Sequence, residues 1–297
     1  AARRSRPRKG VRLVNARRKS GESPSYRLSD ILSGGTLLLW RNPAGKPFGD
    51  DDAWTLSSDW STTKDIPDAY ARLAADEAQL AAQHAFAWDT DFGYLSPHPL
   101  HCGTALCVDG EFHLEALHLI GDLSPVLNAL EAVRFQSSGI LEDGIRQAAH
   151  IFHVRNTATL GVTEHDLLAR ARRLFDDLAR QEYNARKALV EDTPRILADA
   201  LSRALAILRS ARLIAPGELL DLLSPIRLAA SMGFLDGITR AETLKLMREQ
   251  IDTPELPPPR SAEDDRVRDA RDARLADRIN ARFATVHFNS LAEKWLN

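Results

Sequence analysis

The sequence predicts an α+β fold in which an antiparallel sheet flanked by helices is followed by a helical domain. Three observations carry that expectation. Up to about residue 190, short apolar runs of strand character interleave with helical periods but without a strict β-α-β repeat, which favours an antiparallel sheet over a doubly wound one. Beyond Asp192, apolar residues recur at three- and four-residue spacing, the period of helices with one buried face. Hydrophobic residues make up 44% of the 297 positions and charged residues 27%, which is ordinary globular composition and enough apolar side chain for a large core.

The elements follow in order. Residues 1–34 read as a basic arm, because nine Lys and Arg residues from Arg3 to Lys19 precede the first acid, Glu22, with few apolar positions to bury. Thr36–Trp40 (TLLLW), the turn residues Asn42-Pro43-Ala44-Gly45 and Ala53–Leu56 read as strand, turn and strand. A helix is expected over Asp68–Ala87, starting after Pro67, since Tyr70, Leu73, Ala74, Glu77, Leu80 and Ala81 keep helical spacing. Thr104–Val108 and Glu111–Leu117 are strand candidates, Ser124–Val133 a helix, Ile151–Val154 a strand, and Thr163 to about Val190 a long helix. Ile196–Leu208, Pro216–Leu223, Ile226–Met232 and Arg240–Ile251 carry helical periods, and Pro254–Pro259 (PELPPP) reads as a linker. Asp264–Phe283 alternates Asp and Arg, as a salt-bridged surface helix does. Domains are therefore expected at 35–190 and 191–253, with 254–297 as linker and closing helix.

Composition also excludes. The 39 Lys+Arg balance 41 Asp+Glu, so no whole-chain field marks nucleic acid as a partner, and the basic arm lacks interleaved aromatics to stack on bases. The two cysteines, Cys102 and Cys107, cannot build a disulfide framework for a chain of this size, so a reducing, cytoplasmic setting is expected. No apolar run approaches the roughly 18 residues of a membrane span, which removes the membrane as a partner. Homo-oligomerisation stays open.

Two blocks carry a resemblance. Ala85–Leu95 (AFAWDTDFGYL) leads into Cys102-Gly103-Thr104-Ala105-Leu106, and Ile151-Phe152-His153-Val154-Arg155-Asn156 leads into Leu160-Gly161-Val162-Thr163-Glu164. In order and spacing they resemble the ATP:guanidino phosphotransferases, whose pattern runs from GYL through GTGLRA to FxxSN and LGxSE. Arg180-Gln181-Glu182 and Ala185-Arg186 in the next helix are also similar. Leu223–Leu228 (LSPIRL), Met232–Ile238 (MGFLDGI) and the Arg-rich stretch Arg266–Arg282 resemble the helical region of the bacterial protein-arginine kinase branch. The resemblance covers roughly residues 35–285. It implies a guanidino-kinase catalytic domain, phosphoryl transfer from ATP to protein arginine, Mg2+ as the ion, and protein partners met through arginine side chains.

That chemistry sets requirements that can be checked residue by residue. A guanidinium, with its pKa above about 12, needs a carboxylate to orient it and take its proton. The triphosphate needs Mg2+ and arginines to stabilise charge along the line of transfer. The family's NEEDHLR stretch corresponds to Gly49-Asp50-Asp51-Asp52-Ala53-Trp54-Thr55, so the resemblance makes Asp50 and Asp51 the catalytic carboxylates and leaves Thr55 where a phosphate-binding arginine stands. The arginine of GTGLRA is Cys107 here. Arg134 matches the arginine that opens the phosphate-covering loop and becomes the ATP/phosphate-binding candidate. In the signature loop, His98 takes the family's cysteine position, with Cys102 four residues later beside Gly103 and Thr104, and Asn156 closes the FxxSN match. Arg227 is the candidate phosphoarginine contact.

Losing guanidinium contacts at 55 and 107 removes both charge and bidentate geometry. The expected function is therefore a protein-arginine kinase-like phosphotransferase with impaired catalysis. The alternative is an inactive pseudokinase that binds arginine or phosphoarginine proteins as an adaptor. His98, His101 and Cys102, and separately His150 and His153, have residue types zinc accepts. A His-x-x-His pair on a strand divides its rings between two faces, so structural histidines are expected and no metal site.

Overall fold

The computed structural model describes residues 11–12, 31–40, 53–60, 66–96, 101–139, 148–251 and 261–296. Its strands are β1 (Val11–Arg12), β2 (Ile31–Trp40), β3 (Ala53–Trp60), β4 (Trp88–Asp89), β5 (Gly93–Tyr94), β6 (Leu106–His113), β7 (Phe135–Gly139), β8 (Ile151–Asn156), β9 (Leu235–Asp236) and β10 (His287–Phe288). Its helices are α1 (Ile66–Ala81), α2 (Glu115–Ile120), α3 (Leu123–Asn128), α4 (Glu164–Glu191), α5 (Pro194–Ser210), α6 (Pro216–Ser231), α7 (Arg240–Ile251), α8 (Ala262–Phe283) and α9 (Ser290–Leu296). The fold is α+β. Its main sheet runs β1-β3-β2-β6-β8-β7. β2 pairs antiparallel with β3, from Ser33↔Trp60 to Trp40↔Ala53, and with β6, from Ile31↔Phe112 to Leu37↔Leu106. The edge pair β1 and β3 is parallel.

Two compact units result. The first takes the chain up to Phe112, Leu127–Ser137 and His153–Arg180, and the second takes His113–Val126, Ser138–Phe152 and Gln181 onward. In the first, α1 buries Ile66, Ala69 and Leu73 and lies against β2 and β3. Leu106, Val108, Phe112 and Val154 are buried, and Phe175 of α4 meets Phe112 and Phe135 edge-on at 5.2 and 6.3 Å between ring centres. Edge-to-face contacts of this kind add to the area each ring removes from water. In the second unit, α5 turns Leu197, Leu201, Leu205 and Leu208 inward, and α6 packs against both α5 and α7.

Several boundaries differ from the sequence reading, each for a physical reason. The strand expected over Glu111–Leu117 stops at His113, and α2 starts at Glu115. The Glu182 carboxylate accepts from the Ala116 and Leu117 amides, both at 3.1 Å, and so supplies the start of α2 from more than sixty residues away. The helix expected over Ser124–Val133 breaks after Asn128, and the Glu131–Val133 turn ends on Arg134 in the left-handed region at φ 61°. Phe135–Gly139, read as part of a loop, is strand β7. α1 runs Ile66–Ala81, two residues earlier at its start and six shorter at its end than expected. α6 continues through Pro225 instead of ending at Leu223. An interior proline costs about 3 kcal/mol, and the unbroken buried run Leu223–Ala229 offsets that.

Glu182 stands in the apolar stripe of α4, between Leu178 and Ala185, and is itself buried. Burial pushes its carboxyl up, against Arg186 and the two amides that pull it down. Arg186 donates from Nε at 2.9 Å. Glu182→Ala removes a buried carboxylate that pairs with half-buried Arg186 and leaves two helix amides without this acceptor, so urea denaturation should show a loss of about 3 kcal/mol. Glu182→Gln, which keeps an acceptor, should lose less; equal losses would show that the carboxylate does not cap α2.

Candidate active site

The signature loop is closed by backbone. Tyr94 N donates to Gly103 O at 2.9 Å and Gly103 N returns to Tyr94 O at 3.0 Å. Thr104 N reaches Thr159 O at 3.2 Å, while the Thr159 hydroxyl donates to Cys102 O at 2.6 Å. The Tyr94 hydroxyl donates to Glu77 of α1, which ties the loop to the helix. Gly103 adopts φ +98°, and a Cβ there would lie 2.4 Å from Thr159 O. Both facts require glycine at this position. Cys102 is in no disulfide, and its thiol is directed at Ser96 O.

Beside the loop, Asn156 clamps β6. Its amide accepts from Val108 N at 2.7 Å and donates to Leu106 O at 3.1 Å and Ala158 O at 3.2 Å. Leu106, Val108 and Asn156 are buried, and strand side chains alternate, so Cys107 and Arg155 share the opposite, outer face. Cys107 is half-buried, and burial pushes its thiol up; Arg155 pulls the other way and Asp109 adds to the rise. The thiol is therefore neutral at pH 7. On β7, Gln136 faces Arg155: with its amide oxygen turned to the guanidinium, it accepts from Nε and Nη2 at 3.0 and 3.2 Å. Arg134, exposed, is held by its backbone, since its carbonyl accepts from Thr157 N at 2.9 Å and from the Thr157 hydroxyl at 3.1 Å.

The first unit thus brings Cys102, Gly103, Thr104, Asn156 and Arg134 to the loop and the adjoining strands. Thr55 lies on β3 opposite Leu38 of β2, whose Thr36 pairs with Cys107 on the other side. Asp50, Asp51 and His98 lie outside the described residues. Arg155 entered the sequence reading only as part of the FxxSN match. Its replacement of the family's serine was the available signal, and its closeness to Cys107 needed the sheet.

Arg227 belongs to the second unit and is 4% exposed. It neighbours a polar cluster invisible in the sequence. Ser224 Oγ lies 2.8 Å from His113 Nε2 and 2.8 Å from Ala149 O, and it also hydrogen-bonds Glu115. His150 Nδ1 meets Glu115 Oε2 at 2.5 Å, and His118 stacks on His150 at 3.6 Å. His153 faces a different acid, Glu111, at 3.8 Å. Among the described residues, no group of three or more His, Cys, Asp or Glu converges on a metal position.

Two predictions follow from these contacts. Gly103→Ala meets a backbone carbonyl that cannot yield, whereas Gly161→Ala, at φ +73° with nothing within 4 Å, carries only the conformational cost. Thermal melting should place the first at least about 2 kcal/mol below wild type and the second about 1 kcal/mol below. Burial, with Arg227 second, pushes His113 well down, so it stays neutral in the folded chain. The unfolded chain takes up that proton below about pH 6.5, so stability falls as pH drops through that value, by at most about 1.4 kcal/mol per pH unit. Denaturation curves at several pH values should show a shallower slope in His113→Leu.

Residues 59–185 match the ATP:guanido phosphotransferase C-terminal catalytic domain, and residues 194–291 match the protein-arginine kinase McsB C-terminal domain. A protein-arginine kinase of Moorella thermoacetica is 36% identical over 174 residues, covering 59% of this chain and 49% of that protein. One from Bacillus cereus is 31% identical over 162 residues, covering 54% and 46%. The chain thus spans about half the length of the curated relatives it matches. Among solved structures, a Schistosoma mansoni taurocyamine kinase with transition-state-analogue components is similar with a TM-score of 0.37 and 16% identity, over 53% of this chain and 23% of that one. A lombricine kinase has a TM-score of 0.35 and 19% identity, over 46% and 36%. Both matched domains occur here in order along one chain: residues 59–185 carry an ATP:guanido phosphotransferase catalytic domain, and residues 194–291 a domain of the kind that closes the protein-arginine kinase McsB.

Proposed function

We propose that this chain is a protein-arginine kinase-like phosphotransferase whose catalysis is impaired. The observation that carries this reading is Cys107, a neutral thiol on the outer face of β6 where the family pattern has an arginine. Residues 35–190 would form the catalytic domain and 191–253 the helical domain. The exposed guanidinium of Arg134 suits a polyphosphate, so the described residues fit a nucleotide in part. Mg2+ is usually held through substrate phosphates and one or two carboxylates, a demand that the Asp50–Asp52 stretch meets in residue type. ATP supplies the phosphoryl group and Mg2+ neutralises its charge.

In this reading Asp51, helped by Asp50, orients the substrate guanidinium and takes the proton it loses as the N–P bond forms and the bond from the γ-phosphorus to the bridging oxygen breaks, with ADP as the leaving group. Arg134 holds phosphate oxygens. Gly103 and Thr104 keep the loop closed, Asn156 positions β6, and Cys102 lines the approach of the guanidinium, with His98 the residue at the family's cysteine position. Arg227 meets phosphoarginine only if its surroundings open, because a phosphoarginine needs solvent access and this side chain is buried. The same Cys107 observation favours the second reading, an adaptor that binds arginine or phosphoarginine proteins without turnover.

Radiolabelled ATP, Mg2+ and an arginine-rich protein decide between them. The kinase reading expects slow, acid-labile label on arginine that drops at least about 100-fold in Asp51→Asn. Absence of label together with binding of a phosphoarginine peptide selects the adaptor. Absence of both nucleotide and phosphoarginine binding overturns both.

A further inference from the structure

The phosphate clamp has lost one arginine, and the structure offers another beside the gap. Position 107 carries cysteine where the family pattern has arginine, and position 155 carries arginine where that pattern, FxxSN, has serine. The two positions lie on adjacent strands, β6 and β8. Asn156 bonds to β6 on both sides of Cys107, at Leu106 O and Val108 N, which fixes residue 155 next to residue 107. Alternation then turns both side chains to the same outer face. Neighbouring strands are about 4.8 Å apart, less than the reach of an extended arginine.

The geometry points to Arg155 as the phosphate-binding residue that replaces the missing clamp arginine, its guanidinium reaching from β8 over Cys107 to the nucleotide phosphates. This rests on the phosphotransferase reading above and names a residue for it. Arg155 is exposed, and among the described residues its guanidinium meets the neutral amide of Gln136 and forms no ion pair with a carboxylate. Gln136 lies on β7, on the far side of β8 from Cys107, so the guanidinium, which it holds without neutralising, exchanges this neutral acceptor for phosphate when it reaches over Cys107. Arg134 stands nearby, since its carbonyl bonds to Thr157, two residues after Arg155. Arg155 on β8 and Arg134 at the start of β7 thus both lie on one side of the position from which an arginine was lost. The size of Cys107 matters as well: an arginine at 107 would contend with Arg155 for the same space, whereas a small neutral thiol lets the guanidinium lie across it. Because the charge arrives from the next strand, ground-state phosphate binding is preserved while the geometry of the transfer step differs, in keeping with weak turnover.

Isothermal titration of the full chain with MgADP tests this, with thermal melting as the control for folding. Arg155→Ser and Arg155→Gln should each weaken MgADP binding at least about 10-fold, the loss of one charge-assisted bidentate contact, without moving the melting temperature. Cys107→Arg combined with Arg155→Ser should restore affinity to within about threefold of wild type, since it returns the guanidinium to the neighbouring strand. If both single variants bind MgADP within twofold of wild type, Arg155 is not a phosphate ligand, and the phosphotransferase reading stands without it. If the wild-type chain binds no MgADP, the nucleotide reading itself fails and the proposal goes with it.

Discussion

The side-chain amide of Asn156 is the contact on which the candidate site depends. It is 6% exposed, and each of its three hydrogen bonds is to backbone. A buried amide left unpaired costs several kcal/mol by transfer measures, so this group is locked once the sheet forms. By spanning Leu106 and Val108 it sets the register of β8 against β6. By holding Ala158 it steers the chain toward Thr159, whose carbonyl and hydroxyl close the signature loop on Thr104 and Cys102. Loop, strand and the outer-face pair at 107 and 155 are therefore consequences of one side chain.

The helical unit uses the same device with charge. Glu182 sits where the α4 stripe calls for an apolar residue, and it is retained by three donors, two from α2 and one from Arg186. Glu115, also buried, is met by Ser224 and His150. Polar groups in such places lower stability unless all their partners are present, but they admit few alternative arrangements. They specify where α2 begins and how the turn before β8 lies against α6, where Ala149 N also bonds Asp221 at 3.0 Å.

A family domain and altered site residues coexist here because packing and chemistry occupy alternate positions on the same strands. Leu106, Val108, Val154 and Asn156 point inward and hold the fold, while Cys107 and Arg155 point outward and contribute little to it. An outward position can exchange arginine for cysteine, or serine for arginine, at small cost to stability. The inward positions and Gly103 cannot. Among the described residues no helix is long and apolar enough to cross a membrane.

Much of the fold was legible in local pattern. The stripe of α4, the periods of α5, α7 and α8, and the strands around residues 36–40, 53–56 and 151–154 all follow from spacing that a single element imposes on its own residues. The motif order from Gly93-Tyr94 through Gly103-Thr104 to Asn156 likewise marked the family resemblance and the loop, because those residues answer to backbone geometry close in sequence. What the sequence could not supply were events set by partners far along the chain: β6 giving way to α2 under the Glu182 carboxylate, α6 continuing through Pro225 because its whole flank is buried, and Arg155 meeting Cys107 across neighbouring strands. Periodicity determines which face of an element is apolar; only the tertiary structure decides which distant donor, acceptor or charge that face or its opposite meets.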